Sequence, residues 1–151
     1  MSGVARLAIM CGLPKSGKTT YARSLQETGW VRVCPDEIRH ALHGRGHYPP
    51  AEPLVWANAE LMVRALILGG HAVVVDATNT TKKRRAPWLR IAHDLNIPIE
   101  AFVLGTPAAE CHERNHTSDE PVPSEAIDRM NEQWEPVTEE EIVVRVIDHE
   151  G

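Results

Sequence analysis

The sequence has 151 residues and a formal net charge of −5, with 42% hydrophobic and 25% charged residues. These values are typical of one globular domain (residues 1–151) and exclude disordered, collagen-like and coiled-coil proteins. No apolar run approaches the roughly 20 residues of a membrane helix and no signal peptide is predicted, while three widely spaced cysteines favour a reducing, cytoplasmic environment.

Apolar runs alternate with amphipathic stretches along the chain. The runs predict five strands, at Arg6–Cys11, Val31–Cys34, Ala72–Val75, Ile97–Leu104 and Ile142–Ile147. The stretches predict six helices, at Gly17–Glu27, Asp36–Leu42, Glu52–Leu68, Lys82–Leu95, Pro107–Asn115 and Ser124–Gln133. The segment Gly44–Pro50 is predicted to be a loop. Alternating strands and helices form βαβ units, so we expect an α/β fold with a parallel sheet of about five strands and helices on both faces.

The segment after the first predicted strand fits the phosphate-binding pattern G-x-x-x-x-G-K-[ST] without a mismatch. Its residues are Gly12, Leu13, Pro14, Lys15, Ser16, Gly17, Lys18 and Thr19, followed by Thr20. The backbone N–H groups of such a loop and the positive end of the next helix surround phosphate oxygens. Lys18 is expected to reach the β- and γ-phosphates, and Thr19 to bind Mg²⁺ through its hydroxyl. The pattern predicts a triphosphate site but does not identify what receives the phosphate.

Two carboxylates follow the second and third predicted strands, where the carboxyl ends of parallel strands share one crevice. Asp36 is expected to face the γ-phosphate and to accept the proton of an attacking hydroxyl, with helix capping as the alternative. Arg39, one helical turn later, is expected to hold an anionic group of the acceptor. Asp76 is expected to hold a magnesium-bound water or an acceptor-side group, with local turn chemistry as the alternative.

Several segments together resemble the 5′-hydroxyl polynucleotide kinase family. They are GLPKSGKTT, PDEIR, VVVDATNT followed by KKRR, CHERN and PVPSEAIDRM, in that order between Leu7 and Pro136. The likeness extends to the kinase module of phage and bacterial end-healing enzymes and to small bacterial P-loop ATPases. It implies transfer of the γ-phosphate of ATP (or another nucleoside triphosphate), with Mg²⁺, to the 5′-OH end of DNA or RNA. It also implies separate end-healing enzymes as partners.

The resemblance assigns roles to single residues. Asp36 matches the general base, Arg39 the residue that contacts the phosphate of the terminal nucleotide, and Asp76 an acidic residue on the acceptor side. Lys18 and Thr19 match the phosphate-loop lysine and the magnesium ligand.

The segment around residues 107–123 matches the lid that folds over the donor in this family. Arg114 matches a lid arginine that neutralises charge on the transferred phosphoryl group. The phage enzymes carry a second arginine four residues later, which this chain lacks. Arg129 is the weaker candidate for a lid arginine.

The basic run Lys82–Arg85 opens a predicted helix, where positive charge opposes the helix dipole. It is expected either to contact a nucleic-acid backbone or to form a solvated surface. Residues 101–151 are acidic instead, with 3 Lys and Arg against 13 Asp and Glu, and are expected to form a solvated face.

Several residues that invite a functional interpretation are predicted to be structural. The candidate zinc ligands lack a complete set and are expected to be ordinary surface or lid residues: His40, His43, His47, Cys111, His112 and His116. Three tryptophans on apolar helical faces are expected to pack rather than to stack on bases: Trp56, Trp88 and Trp134. Tyr48, in its proline-rich loop, is the stacking candidate.

Two other functions fit the same residues. A kinase of small molecules, acting on a nucleoside, sugar or antibiotic hydroxyl, is favoured by the acidic net charge and the short chain. A non-kinase module that binds or slowly hydrolyses ATP for a partner protein is the other, and its activity would be indifferent to Asp36.

Overall fold

The computed structural model describes residues 5–147, so both ends of the predicted domain, residues 1–4 and 148–151, lie outside the described residues. Five strands form one sheet in which every pairing is parallel, in the order β2-β3-β1-β4-β5. The strands are β1 (Arg6–Cys11), β2 (Val31–Val33), β3 (Ala72–Val75), β4 (Ile99–Leu104) and β5 (Val143–Ile147). The predicted α/β fold is confirmed.

Six α-helices accompany these strands in the described part of the chain. They are α1 (Lys18–Gln26), α2 (Pro35–His43), α3 (Glu52–Leu68), α4 (Lys82–Asp94), α5 (Ala108–His116) and α6 (Ser124–Gln133). The predicted loop before α3 ends in a 3₁₀ turn at Pro49–Ala51. Strand β4 begins later than predicted because the Ile97 amide donates to the Ala92 carbonyl and closes α4. Within residues 5–147 no helix combines the length and apolar content needed to cross a bilayer.

Hydrophobic clusters cover both faces of the sheet, as expected for parallel strands. In β1, Leu7 and Ile9 belong to one cluster, and Ala8 and Met10 to the other. The first cluster includes side chains of α3 and α4, and the second includes Ala22 of α1. A smaller cluster joins the phosphate loop to the two lid-side helices, with members Leu13, Cys111 and Ile127.

The basic run at the start of α4 is divided between surface and core. Its first three residues are exposed, whereas Arg85 is fully buried. Arg85 Nε and Nη2 donate to the Glu141 carboxylate at 2.8 and 3.1 Å, Nη1 donates to the Asn79 carbonyl at 2.9 Å, and Nη2 donates to the Glu135 carbonyl at 3.0 Å. Both expectations for the run are therefore wrong at Arg85, which lies on the same helix face as the buried Trp88.

The acidic carboxy-terminal region is not wholly a solvated face either. Glu135 and Glu141 are half-buried because they bind the start of α4: Glu141 pairs with Arg85, and the Glu135 carboxylate accepts from the Lys82 amide at 3.1 Å. The segment before β5 is thereby fixed to α4.

The residues predicted to be structural have mixed surroundings. Trp88 is buried and packs as predicted, while Trp56 and Trp134 are half-buried against the same cluster. His43 is half-buried rather than exposed, and its ring meets that of Tyr48 edge-to-face at 5.6 Å. All three cysteines are buried free thiols.

Candidate active site

The phosphate loop joins the carboxyl end of β1 to α1. Lys15 and Gly17 have positive φ angles of 68° and 104°. A Cβ at Gly12 would lie 2.6 Å from Ser16 Oγ, and one at Gly17 would lie 3.3 Å from the Leu104 side chain. Both glycines suit the close packing and backbone angles of this loop. The binding of phosphate oxygens by its backbone amides stays a prediction.

The Lys18 ammonium lies inside this loop. Its Nζ donates to the Leu13 carbonyl at 2.7 Å and to Ser16 Oγ at 3.5 Å. Burial lowers the pKa of Lys18 to about 8, and the neighbouring Asp76 charge only partly offsets that effect. A desolvated ammonium strongly attracts phosphate oxygens.

Asp76, at the tip of β3, contacts the start of α1. Thr19 Oγ1 donates to Asp76 Oδ2 at 2.9 Å, and Arg32 Nε donates to the same oxygen at 2.8 Å. Asp76 is thus committed to side-chain partners rather than to local turn chemistry. A hydroxyl and a carboxylate oxygen side by side are hard oxygen donors of the kind that Mg²⁺ takes, so these residues fit the ion.

Arg32 was not predicted from the sequence. It is the only polar side chain in β2, pairs with both Asp76 and Glu37, and has a side chain that is 6% exposed. A charged residue within a short, otherwise apolar strand was the available signal, but it does not identify the partner.

Asp36 and Arg39 lie together on the first turns of α2. Arg39 Nη1 is 3.6 Å from Asp36 Oδ1, and the Asp36 side chain is 60% exposed. The helix-capping position belongs to Cys34, so Asp36 does not cap α2. Arg39 Nε and Nη2 donate to the Glu52 carboxylate at 2.9 and 2.7 Å, and these hydrogen bonds lower the pKa of Glu52. Glu52 thus fixes the orientation of Arg39, a role not predicted from the sequence.

The lid side contacts the phosphate loop directly. Arg114 Nη1 donates to the Lys15 carbonyl at 3.2 Å, and Nη2 donates to Glu110 at 3.0 Å. In return, Lys15 Nζ donates to Ser118 Oγ at 2.9 Å and to the Glu120 carbonyl at 2.8 Å. The lid candidate Arg114 therefore reaches the loop that would hold the donor.

Two predicted nucleotide-binding residues lie away from these contacts. Arg129 is exposed on α6, and within residues 5–147 its side chain forms no hydrogen bond or ion pair. Thr20 is exposed on α1, one residue beyond Thr19.

Asn79 fixes the turn after β3 against the end of β1. Its Nδ2 donates to the Met10 carbonyl at 2.7 Å, its Oδ1 accepts from Trp88 Nε1 at 3.1 Å, and its φ of 46° is left-handed. Asparagine tolerates this conformation better than most residues. The contacts hold Asp76 and the phosphate loop in register, which sequence spacing alone does not reveal.

Comparisons with known proteins agree with this architecture. The family model of the AAA domain matches residues 7–137. Uncharacterized proteins of Mycobacterium bovis and Mycobacterium tuberculosis are 31% identical over 111 residues, which is 64% of this chain and 22% of theirs. The chain thus spans about a fifth of the length of these curated relatives.

Solved structures share the fold over most of the chain. A chain of the Pnkp1/Rnl/Hen1 RNA repair complex is 26% identical with a TM-score of 0.76, over 88% of this chain and 45% of that chain. Kti12 of Chaetomium thermophilum, in complex with ADP-AlF3, is 19% identical with a TM-score of 0.76, over 94% and 88%. A sugar kinase of Janibacter sp. HTCC2649 is 14% identical with a TM-score of 0.71, over 97% and 86%.

Proposed function

The chain belongs to the AAA domain family, with a P-loop kinase fold, and we propose that it transfers the γ-phosphate of ATP to the 5′-hydroxyl end of DNA or RNA. The observation that carries the proposal is the carboxylate–guanidinium pair of Asp36 and Arg39. The pair follows the carboxyl end of β2, and the phosphate loop follows the carboxyl end of β1 in the same parallel sheet. Matches of 26% and 28% identity to chains of Pnkp1/Rnl/Hen1 complexes support it.

The donor is held by the phosphate loop and the lid. The loop amides bind the phosphate chain, where Gly12 and Gly17 leave space that a Cβ would fill. Lys18 and Arg114 place two positive charges beside the loop, and these charges stabilise the negative charge on the transferred phosphoryl group. Thr19 and Asp76 would hold Mg²⁺, which neutralises phosphate charge when bound. No described contact selects adenine, so other nucleoside triphosphates remain candidate donors.

The acceptor side supplies the base. Asp36 accepts the proton of the 5′-hydroxyl as the hydroxyl oxygen bonds to the γ-phosphorus. The bond from that phosphorus to the bridging oxygen breaks, and its electron pair leaves with ADP. Arg39, fixed by Glu52, holds the phosphate on the 3′ side of the terminal nucleotide. The exposure of Asp36 allows an acceptor as large as a nucleic-acid end to reach it.

A second candidate is favoured by the pairing of Arg39. Because the Glu52 carboxylate occupies the Nε–Nη2 edge of this guanidinium, the acceptor side is less positive than a dedicated phosphate site. A neutral alcohol, such as a sugar or nucleoside hydroxyl, would fit such a surface. The sugar kinase of Janibacter sp. HTCC2649 shares the fold with this chain.

The choice of acceptor separates these functions. Initial rates with ATP and Mg²⁺ are measured on a 5′-OH oligonucleotide, a nucleoside 3′-monophosphate and an unphosphorylated nucleoside. We expect the two phosphate-bearing acceptors to react well and the nucleoside poorly. Arg39→Ala should lower kcat/KM about 10- to 100-fold for the phosphate-bearing acceptors only. Arg23→Ala, an exposed arginine on α1, is the charge-matched control.

Other outcomes identify the alternatives. Equal rates on nucleoside and oligonucleotide, unaffected by Arg39→Ala, would support the small-molecule kinase. Hydrolysis of ATP that no hydroxyl acceptor changes would support a non-kinase ATPase and exclude the proposed transfer.

A further inference from the structure

Two guanidinium groups flank one indole beside the acceptor side. Arg39 Cζ lies 5.7 Å from the ring centroid of Trp56, and Arg84 Cζ lies 4.7 Å from it. Trp56 is half-buried on α3, with its ring centroid 6.4 Å from that of the fully buried Trp88. The indole is therefore a fixed support that both cations share.

Arg84 differs from Arg39 in its bonding. Its guanidinium forms no hydrogen bond or ion pair with any residue from 5 to 147, and its only hydrogen bond to a side chain is donated by its backbone amide to Thr81 Oγ1. The guanidinium N–H donors therefore face solvent while the stacking fixes their position. Arg39, by contrast, is bound by Glu52.

The position of Arg84 is unfavourable for the helix that carries it. It lies in the first turn of α4 together with Lys82 and Lys83, where positive charge opposes the helix dipole, and this first turn contains no acidic residue. All three side chains are exposed, so an anion can approach them. Of the three, only Arg84 has a contact within residues 5–147 that fixes its side chain, so only its solvent-facing donors are held in position for a phosphate.

These residues extend from the proposed base. Asp36 contacts Arg39, Arg39 contacts Trp56, and Trp56 contacts Arg84. Because Arg39 Cζ and Arg84 Cζ both lie within 5.7 Å of the same ring centroid, the two guanidinium groups are close neighbours. That separation suits neighbouring phosphates of one strand.

We propose that Arg84, supported by Trp56, binds the second phosphate of a single-stranded acceptor whose first phosphate is held by Arg39. This inference rests on the proposed transfer to a 5′-hydroxyl and makes its substrate class narrower: the preferred acceptor is a strand with at least two phosphates, not a nucleoside 3′-monophosphate. A flexible single strand is favoured because its backbone can bend so that both phosphates reach the two guanidinium groups.

Acceptors of graded length test the subsite. Each carries a 5′-OH and a 3′-terminal phosphate, and they contain one, two or three nucleotides. For the unmodified protein we expect kcat/KM to rise about tenfold from one nucleotide to two and little from two to three. Arg84→Ala should remove that rise and leave the mononucleotide unchanged. It should also reduce the salt dependence of kcat/KM for the dinucleotide by a slope of about 0.7.

Matched variants isolate the cause. Lys83→Ala removes the same charge from the same turn, but among the described residues only Arg39 and Arg84 have a cation–π contact with Trp56. This variant should therefore preserve most of the rise with length. Trp56→Phe keeps an aromatic support and removes no hydrogen bond, because Trp56 Nε1 has no partner within the described residues. Its dinucleotide preference should fall less than that of Arg84→Ala.

The proposal is overturned if Arg84→Ala keeps the dinucleotide preference, or if Lys83→Ala lowers it equally, since the latter indicates diffuse charge. Absence of transfer to every acceptor would instead refute the proposed function. In that case anisotropy of a labelled trinucleotide still decides the subsite: binding that Arg84→Ala leaves unchanged refutes it.

Discussion

Arg85 offers the sharpest test of the packing that supports the site. Its fully buried guanidinium joins α4 to Glu141 and to the backbone carbonyls of Asn79 and Glu135. Arg85→Met keeps much of the volume but leaves a half-buried carboxylate and two carbonyls without their donor. Removing one partner of a buried ion pair costs about 3–5 kcal/mol. We therefore expect the free energy of unfolding to fall by about 4 kcal/mol and Tm by about 10 °C.

Urea denaturation followed by circular dichroism measures this loss, with Lys83→Met as the exposed control on the same helix turn. Lys83→Met should change the free energy of unfolding by less than about 0.5 kcal/mol. The double variant Arg85→Met with Glu141→Gln should lose less free energy of unfolding than the sum of the two single variants, because both substitutions break the same ion pair. A loss below about 1 kcal/mol for Arg85→Met would refute the assigned role.

Three further predictions concern the phosphate loop. The pKa of Lys18, lowered by burial to about 8, means that ATP affinity should fall as pH rises through about 8. Between pH 8 and 10.5 Lys18 loses its proton in the folded protein but keeps it in the unfolded chain, so burial no longer destabilises the folded state. The free energy of unfolding should therefore rise over this range relative to that of Lys18→Met, and denaturation at each pH measures it. Gly17→Ala should lower both stability and ATP affinity. Gly29 has a similar φ of 100° with open space around it, so Gly29→Ala should lower stability alone. Titration with a fluorescent ATP analogue distinguishes the two variants. Lys15→Ala should speed hydrogen exchange of the amides at 118–120, because that part of the lid loses its two hydrogen bonds from Lys15 Nζ. Unchanged exchange would contradict a lid that these hydrogen bonds hold in place.

Local patterns were sufficient to predict the elements. Every strand and helix boundary lies within two residues of its predicted position, because apolar periodicity and the glycine and proline signals are local. The phosphate loop was equally accessible, since the motif and its strand–helix context are contiguous. The Asp36–Arg39 contact also follows from spacing of one helical turn.

Contacts between distant parts of the chain were not predicted. Arg32 meets Asp76 across 44 residues and Arg85 meets Glu141 across 56, and neither pairing has a local signature. The charge run at the start of α4 misled for the same reason: helical rotation turns Arg85 inward while the preceding residue stays outside. The sequence shows which residues follow each strand, and the order of the strands in the sheet decides which of those residues meet.

The most direct test of the central claim is single-turnover transfer of labelled γ-phosphate from ATP to a 5′-OH oligonucleotide by Asp36→Asn. We predict a rate about 10²- to 10⁴-fold below that of the unmodified protein, with ATP binding unchanged, because a general base contributes that factor. Asp94→Asn, the same chemical change at an exposed residue of α4, should stay within about threefold. Transfer by Asp36→Asn at a rate near that of the unmodified protein would contradict the account.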